Sequence, residues 1–193
     1  MGKKMKELNL EEINCEIAKQ SPAEIIKWAV SVAKNPVVTT NFRPYEVAIL
    51  HACTQVRSDL KVIWCDTGYN TPNTYKHANE IINKLQLNVY VYVPKLTVAY
   101  RDVLMGIPNV NNPNHKIFTE QVKLEPFQRA MQKHKPDVWF TNLRKGQTTF
   151  RNSIDVVSKS NDGILKVSPF YHWSDADLDA YLEEHNLPNE FKY

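Results

Sequence analysis

The sequence predicts an α/β fold with three layers: a Rossmann-like, mainly parallel sheet with helices on both faces. Short apolar or β-branched runs alternate along the chain with segments of helical period. Strands separated by helices of this length form right-handed βαβ units, whose strands lie parallel. The 193 residues, 42% hydrophobic and 23% charged, are enough to bury a core. We expect a single domain over residues 1–193, with N-terminal helices in 1–34 and a core in 36–188.

The predicted elements follow one another with one interruption. The predicted strands are 36–40, 60–65, 88–93, 137–142 and 163–168. The predicted helices are 8–19, 21–34, 44–56, 72–85, 120–134 and 175–185. Ser21 followed by Pro22 is typical of a helix start, and Ser174 is the expected cap of the last helix. The interruption is 103–116, rich in Gly, Pro and Asn, which we interpret as a long loop, either a mobile lid or a plain surface excursion.

Composition excludes several classes of function. The net charge is +3 and most basic residues are scattered, which disfavours a nucleic-acid interface. No apolar run approaches the roughly 20 residues that cross a bilayer, and the N-terminus lacks the apolar block of a secretory signal. The three cysteines, at 15, 53 and 65, show no paired spacing, which disfavours zinc and iron–sulfur ligation and fits a reducing compartment. We therefore expect a cytoplasmic protein with no metal and no membrane or nucleic-acid partner.

The end of the second predicted strand is the most informative segment. Asp66, Thr67 and Gly68 directly follow a run of apolar residues. Ligands of open α/β sheets bind at the carboxyl ends of the strands, so these residues are placed to touch one. Aspartate and glycine are also common in turns. The position at the sheet edge favours a binding role over a plain turn.

The end of the first predicted strand carries a second candidate group. Thr39, Thr40, Asn41 and Phe42 lead into the helix predicted from Pro44. Hydroxyls and backbone amides at such a junction can hold a phosphate or sulfate with help from the helix dipole. A capped β–α turn without a ligand explains the same residues equally well.

A cluster of cations follows the predicted strand 137–142. It contains Arg144, Lys145, Gln147 and Arg151. Guanidinium and ammonium groups at this density suit an oxyanion such as phosphate or sulfate. If the segment is helical, Arg144, Gln147 and Arg151 share one face, although a solvated surface is the plainer alternative. Lys123, near the start of the helix predicted over 120–134, is a further candidate.

These segments together resemble the 3′-phosphoadenylyl-sulfate (PAPS) reductase family, of the adenine nucleotide α-hydrolase-like fold. The resemblance covers about residues 25–188. Besides the segments above, it rests on Tyr69, Pro72 and Thr74-Tyr75, on Lys123-x-Glu125-Pro126, on Lys166-Val-x-Pro169 and on Trp173-Ser-Asp175. It implies a substrate with an adenosine, two phosphate positions and a sulfate.

The resemblance also implies roles for the candidate residues. Thr39, Thr40 and Asn41, beside Phe42, would line the sulfate and phosphate end. Asp66, Thr67 and Gly68 would face the adenosine. The anions would be held by the cationic cluster, which comprises Lys123, Arg144, Lys145 and Arg151, with Gln147 beside them.

The implied reaction is the reduction of 3′-phosphoadenylyl sulfate to sulfite and adenosine 3′,5′-bisphosphate in sulfate assimilation. In the family a cysteine thiolate near the C-terminus attacks the sulfate sulfur, and thioredoxin or glutaredoxin then reduces the thiosulfonate. Family members with an iron–sulfur cluster carry a cysteine pair before the Lys-x-Glu-Pro motif. Residues 118–122 contain no cysteine, so the cluster-free branch is the better match.

Two departures from the family pattern leave alternatives open. Arg43 stands where the family's loop has a small residue, and the family's cysteine motif would follow Tyr193, so we expect a further C-terminal tail and assign no catalytic residue here. One alternative is an ATP-pyrophosphatase or adenylyltransferase, although the first turn lacks the glycines of their pyrophosphate loop. Another is a non-catalytic nucleotide-binding homologue. A homodimer is a further prediction, with the helices over 8–19 and 21–34 as candidates for its contact.

Overall fold

The computed structural model describes residues 9–145 and 154–192. The helices are α1 (Leu10–Ile17), α2 (Pro22–Val32), α3 (Glu46–Val56), α4 (Pro72–Leu85), α5 (Val98–Leu104), α6 (Asn114–Thr119), a π-helical turn (Glu120–Leu124), α7 (Glu125–His134) and α8 (Asp175–Glu184). The strands are β1 (Pro36–Thr40), β2 (Lys61–Cys65), β3 (Asn88–Tyr92), β4 (Val138–Phe140), β5 (Val157–Lys159) and β6 (Leu165–Val167). A helix with the length and hydropathy needed to cross a bilayer does not occur in these two ranges.

The strands form one six-stranded sheet in the order β3-β2-β1-β4-β6-β5. Five of them run parallel, and β5 pairs antiparallel with β6 at one edge. β1 lies between β2 and β4, with Val38 opposite both Val62 and Phe140. The predicted parallel sheet is confirmed. β5 was missed because its sequence, Val157-Ser158-Lys159, contains only one apolar residue and shows no alternation.

Alternating residues of the strands face two different cores. Val38, Val62 and Phe140 pack into the larger core, which also contains buried residues of α2, α3, α4 and α8. Val37 and Ile63 point the other way and pack against Ala130 of α7. Since side chains alternate along a strand, the sheet is covered on both faces. This confirms the three-layer prediction.

Helix starts largely follow the capping residues of the sequence. Ser21 and Ser174 each cap a helix and form a reciprocal capping box, with Glu24 and Asp177 respectively. α3 begins at Glu46 rather than Pro44, because Tyr45 adopts a left-handed conformation with φ 66°.

The interpretation of 103–116 as one long loop is wrong in part. α5 ends within this range at Leu104, and α6 begins within it at Asn114, which leaves 105–113 as the loop. α5 starts where the Thr97 hydroxyl accepts a hydrogen bond from the Tyr100 N–H. Both helices are short, so neither shows the apolar period of a longer amphipathic helix.

The buried side chain of Asn14 joins α1 to the edge strand β5 by hydrogen bonds. The amide of Asn14 donates to the Val157 carbonyl and accepts from the Val157 N–H, both at 2.8 Å. Asn14 is buried, and its amide takes the place of a further strand on this side of β5. The helix therefore closes an edge that would otherwise leave backbone groups unpaired.

We predict that Asn14→Leu lowers the free energy of unfolding by about 2 kcal/mol, because it leaves two buried backbone groups of Val157 without partners. Urea denaturation followed by circular dichroism measures this change. Cys15→Ser is the matched control, because Cys15 is the next residue of the same helix and is exposed. Its effect should stay within about 0.5 kcal/mol. Equal stability of Asn14→Leu and the wild type would contradict the role given to Asn14.

Candidate functional site

A cavity of ≈ 260 Å³ lies at the carboxyl ends of β1, β2 and β4. Parallel pairing brings these three strand ends to the same edge of the sheet, where such folds bind ligands. The cavity brings together four of the predicted site residues with new ones from β2, β4, α7 and the π-helical turn. Its lining consists of Thr39, Thr40, Asn41, Ile63, Cys65, Lys123, Leu124, Phe127 and Trp139.

The walls of the cavity are mainly aromatic and aliphatic. The rings of Phe127 and Trp139 lie 5.2 Å apart, and the Trp139 Nε1–H donates to the Thr39 hydroxyl at 3.0 Å. Lys166 belongs to β6, the strand next to β4, and its ammonium lies 5.3 Å from the centre of the Trp139 ring. Apolar walls with a few fixed polar groups suit a planar, partly polar ligand such as a nucleotide base.

Two residues of the cavity wall, Trp139 and Phe127, were not among the site residues predicted from the sequence. Trp139 sits between the buried residues Val138 and Phe140, so it points to the opposite face of the sheet from them. The alternation of side chains along a strand is the signal that could have placed Trp139 on the face of the sheet opposite Val138 and Phe140. Phe127 is an apolar residue within the helix predicted over 120–134, a position that carries no signal of a ligand, and its contact with Trp139 is what places it in the cavity.

The turn after β1 is occupied by an internal carboxylate. Glu46 Oε2 accepts hydrogen bonds from the Thr40 hydroxyl at 2.9 Å, the Asn41 N–H at 2.6 Å and the Arg43 N–H at 3.2 Å. Burial raises the pKa of Glu46 above its usual value, although these hydrogen bonds and Arg43 oppose that effect. The donors predicted to hold a ligand anion are therefore bound to Glu46 in this structure.

Phe42 is placed in the core by the same turn. It is 1% exposed, and its ring meets that of Trp64 edge to face at 4.9 Å. Its φ of 52° lies in the left-handed region, and its N–H donates to the Thr40 hydroxyl at 2.9 Å. The structure thus gives Phe42 a role in fixing the turn.

The turn after β2 is braced by its own aspartate. Asp66 Oδ1 accepts from the Gly68 N–H, the Asn70 amide and the Tyr75 hydroxyl, each at 2.9 Å. Thr67 accepts from the Tyr69 N–H at 3.2 Å. The residues Asp66–Gly68 stand next to Cys65, which lines the cavity, but are not part of the lining themselves. Their contacts shape the turn.

α5 packs directly on this turn. Gly68 has φ +81°, and a Cβ there would lie 2.6 Å from Val98, so the position requires glycine. The Tyr69 hydroxyl donates to Asp102 at 2.7 Å and accepts from Arg101 at 3.3 Å. The first part of α5, which precedes the segment 103–116, therefore supports the edge of the site.

Arg144 and Lys145 lie on the other side of the β1 turn from Lys123 and are not part of the cavity lining. Arg144 pairs with Asp175 of α8 at 2.5 Å, and its guanidinium lies 5.3 Å from the Tyr45 ring centre. The Lys145 N–H donates to the Tyr171 carbonyl at 2.8 Å, and its side chain is exposed. Gln147 and Arg151 lie outside the described residues.

The C-terminal segment lies along the starts of α3 and α4. The Tyr45 N–H donates to Asn189 at 2.9 Å, and the Thr71 hydroxyl donates to the Lys192 carbonyl at 3.1 Å. Phe191 packs edge to face on Tyr45, with ring centres 5.8 Å apart. Tyr45 and Thr71 cap α3 and α4, which start at the carboxyl edge of the sheet.

The cysteines near the site are not activated thiolates. Burial raises the pKa of Cys65 to about 11, so its side chain is a neutral thiol at neutral pH. Burial also raises the pKa of Cys53, which is fully enclosed by the large core. In residues 9–145 and 154–192, no group of three or more His, Cys, Asp or Glu side chains could hold a metal ion.

Comparisons with known proteins identify the family of the chain. Residues 35–190 match the phosphoadenosine phosphosulfate reductase domain. Phosphoadenosine 5′-phosphosulfate reductase from Synechococcus sp. is 34% identical over 185 residues, which cover 93% of this chain and 78% of that protein.

Two solved structures share the fold. PAPS reductase from Candida auris, in a phosphate complex, superposes with a TM-score of 0.84 over 98% of this chain and 91% of that one, at 24% identity. FMN adenylyltransferase from Candida glabrata, in complex with ATP, has a TM-score of 0.60 at 13% identity and covers 94% of this chain and 63% of its own. Both similarities show the fold alone, because both identities are low.

The family match and the relative at 34% identity confirm the family, the type of enzyme and the reaction inferred from the sequence motifs. The adenylyltransferase alternative shares only the fold. The chain therefore belongs to the phosphoadenosine phosphosulfate reductase family.

Proposed function

We propose that the cavity binds 3′-phosphoadenylyl sulfate and that the protein reduces its sulfate to sulfite, releasing adenosine 3′,5′-bisphosphate. The observation that carries this proposal is the cavity itself. It combines the apolar walls of Phe127 and Trp139 with the polar ends of β1 and the ammonium of Lys123. A base fits between such walls while the anionic groups remain near cations.

The cations on either side of the β1 turn supply sites for the anions. Lys123 lies at the cavity, and Arg144 and Lys145 follow β4 on the other side of the turn. A nucleotide with several anionic groups is long enough to contact more than one of these. Arg151 and Gln147, which follow in the same segment, belong to this proposed anion site by sequence.

The proposed reaction needs a thiol nucleophile. A thiolate attacks the sulfate sulfur, the S–O bond to the nucleotide phosphate breaks, and adenosine 3′,5′-bisphosphate leaves. A second thiol then attacks the thiosulfonate, so that sulfite leaves and two thiols become one disulfide. The sulfur gains the two electrons that the thiols lose. Cationic groups stabilise the charge that develops on the leaving phosphate.

The raised pKa of Cys65 and the enclosure of Cys53 argue against either as the nucleophile. The family resemblance assigns the attacking thiolate to a cysteine motif near the C-terminus. Asn189 and Lys192 contact Tyr45 and Thr71 at the starts of α3 and α4, so this part of the chain lies at the same edge of the sheet as the cavity. We propose thioredoxin or glutaredoxin as the reductant, with no iron–sulfur cluster. A homodimer stays a prediction.

The first test is calorimetric titration with adenosine 3′,5′-bisphosphate, adenosine 5′-phosphate and ATP. We expect the bisphosphate to bind most tightly, because it presents two separate anionic groups to the cations around the turn. Preference for ATP would instead favour the adenylyltransferase alternative. Absence of binding by all three nucleotides would contradict the proposed function.

We predict that Lys123→Ala weakens binding of the bisphosphate by about tenfold, since a hydrogen bond to a charged group contributes about 1.5–3 kcal/mol. The same titration measures the change. Lys133→Ala is the matched control, because Lys133 is an exposed lysine in the last turn of α7. Equal affinity of Lys123→Ala and the wild type would remove Lys123 from the site.

We predict a loss of similar size, about tenfold or more, for Arg144→Ala. Because Arg144 also pairs with Asp175, the control is Asp175→Asn, which breaks the ion pair and keeps the guanidinium. Asp175→Asn should bind the bisphosphate at least as tightly as the wild type. Equal weakening by both variants would show that Arg144 acts through the ion pair and the fold rather than on the ligand.

A further inference from the structure

Glu46 occupies a donor set that is well suited to an external oxyanion. Backbone N–H groups and a hydroxyl at the junction between a strand and a helix form a common binding site for phosphate and sulfate. Here one oxygen of the Glu46 carboxylate accepts hydrogen bonds from the Asn41 N–H, the Arg43 N–H and the Thr40 hydroxyl. The carboxylate stands where a ligand oxygen would otherwise be bound.

The same residues form part of the cavity. Thr40 and Asn41 line it, so the Glu46 carboxylate lies directly behind the polar end of the cavity wall. Lys123 stands in the same lining, and Arg43 belongs to the turn. An anion that enters this end meets the Lys123 ammonium and a negative charge already bound to the turn, and Arg43 lies close enough to Glu46 to oppose the rise in its pKa.

We propose that Glu46 is an internal anion that competes with the sulfate or phosphate oxygens of the substrate for the turn after β1. The competition makes Glu46 a residue that determines affinity and specificity for anionic ligands. The inference rests on the proposed function, because it places the anionic end of the nucleotide at this turn.

The competition follows from charge and donor count. Thr40, Asn41 and Arg43 each offer one hydrogen to the carboxylate, so a ligand oxygen takes these bonds only when Glu46 gives them up. Two negative charges in a partly buried site also repel one another strongly. Protonation of Glu46 removes the charge repulsion and weakens its hold on the three donors.

The expected pH dependence has a definite sign. Because burial raises the pKa of Glu46, its carboxylate takes up a proton at a higher pH than an ordinary glutamate does. Anion affinity should therefore rise as the pH falls through that pKa. Other charged groups at this end of the molecule are Arg43, Lys123, Arg144, Asp175 and Asp179. Only the part of the pH dependence that disappears in a variant at position 46 belongs to Glu46.

The test compares wild type with Glu46→Gln by titration with inorganic sulfate and with adenosine 3′,5′-bisphosphate, between neutral pH and about pH 5. Sulfate stays dianionic through this range, so its binding reports on the protein alone. Glutamine keeps an oxygen for the same three donors but removes the charge. Glu46→Ala is the second variant, because it leaves the donors open if the glutamine side chain still blocks them.

Glu24→Gln is the matched control. The Glu24 carboxylate also accepts from a backbone N–H and a hydroxyl at a helix start, both of Ser21, at 2.8 Å. It lies on α2 and is not part of the cavity lining. The control therefore makes the same change of charge beside the same kinds of donor at another helix start.

We expect Glu46→Gln or Glu46→Ala to bind sulfate about tenfold more tightly than wild type at neutral pH, with a flatter pH profile, and Glu24→Gln to match the wild type. Equal sulfate affinity and equal pH profiles in wild type and both variants at position 46 would overturn the inference. If the variants at position 46 bind sulfate more tightly than wild type but neither they nor wild type bind the nucleotide, the result would support the competition at the turn and contradict only the proposed function. Nucleotide binding that is identical in all proteins, with unchanged sulfate binding, would overturn the inference and leave the proposed function standing.

Discussion

The parallel pairing of β1 with both β2 and β4 is the constraint on which the candidate site depends. Parallel neighbours end at the same edge, so residues from three distant parts of the chain meet there. The hydrogen bond from Trp139 to Thr39 joins residues 100 positions apart and fixes one wall of the cavity. Helices on both faces bury the sheet and hold these strand ends in register.

Carboxylates shape this edge from within. Glu46 accepts three hydrogen bonds from the turn after β1. Asp66 accepts three, two from the turn after β2 and one from Tyr75 of α4. Such bonds organise the loops, because backbone N–H groups at a strand end otherwise need water or a ligand. The difference between the two is location: Glu46 is bound to residues that line the cavity, whereas Asp66 lies outside the lining. An internal carboxylate therefore bears on anion binding at the turn after β1 and not at the turn after β2.

The cations, by contrast, are distributed around the β1 turn. Lys123 reaches the cavity from the π-helical turn before α7, and Arg144 is held between Tyr45 and Asp175 on the side of α8. Tyr45 also contacts Phe191 and, through its N–H, Asn189. One aromatic residue thus connects the candidate anion site with the C-terminal segment. A substrate with separated anionic groups suits a site whose charges are separated.

The sequence by itself determined the fold class and most strand ends, because alternating and helical periods, capping serines and turn residues are local signals. It indicated the family through motifs that resemble those of PAPS reductases. It correctly placed Ser21 and Ser174 as caps and Thr39 to Asn41 at the carboxyl end of β1. Only the tertiary structure decided which candidates share a cavity, that Phe127 and Trp139 form its wall, and that Glu46 fills the turn. The physical reason is that these contacts join side chains across the sheet or across a turn, where pairing depends on three-dimensional distance and leaves no period in the chain.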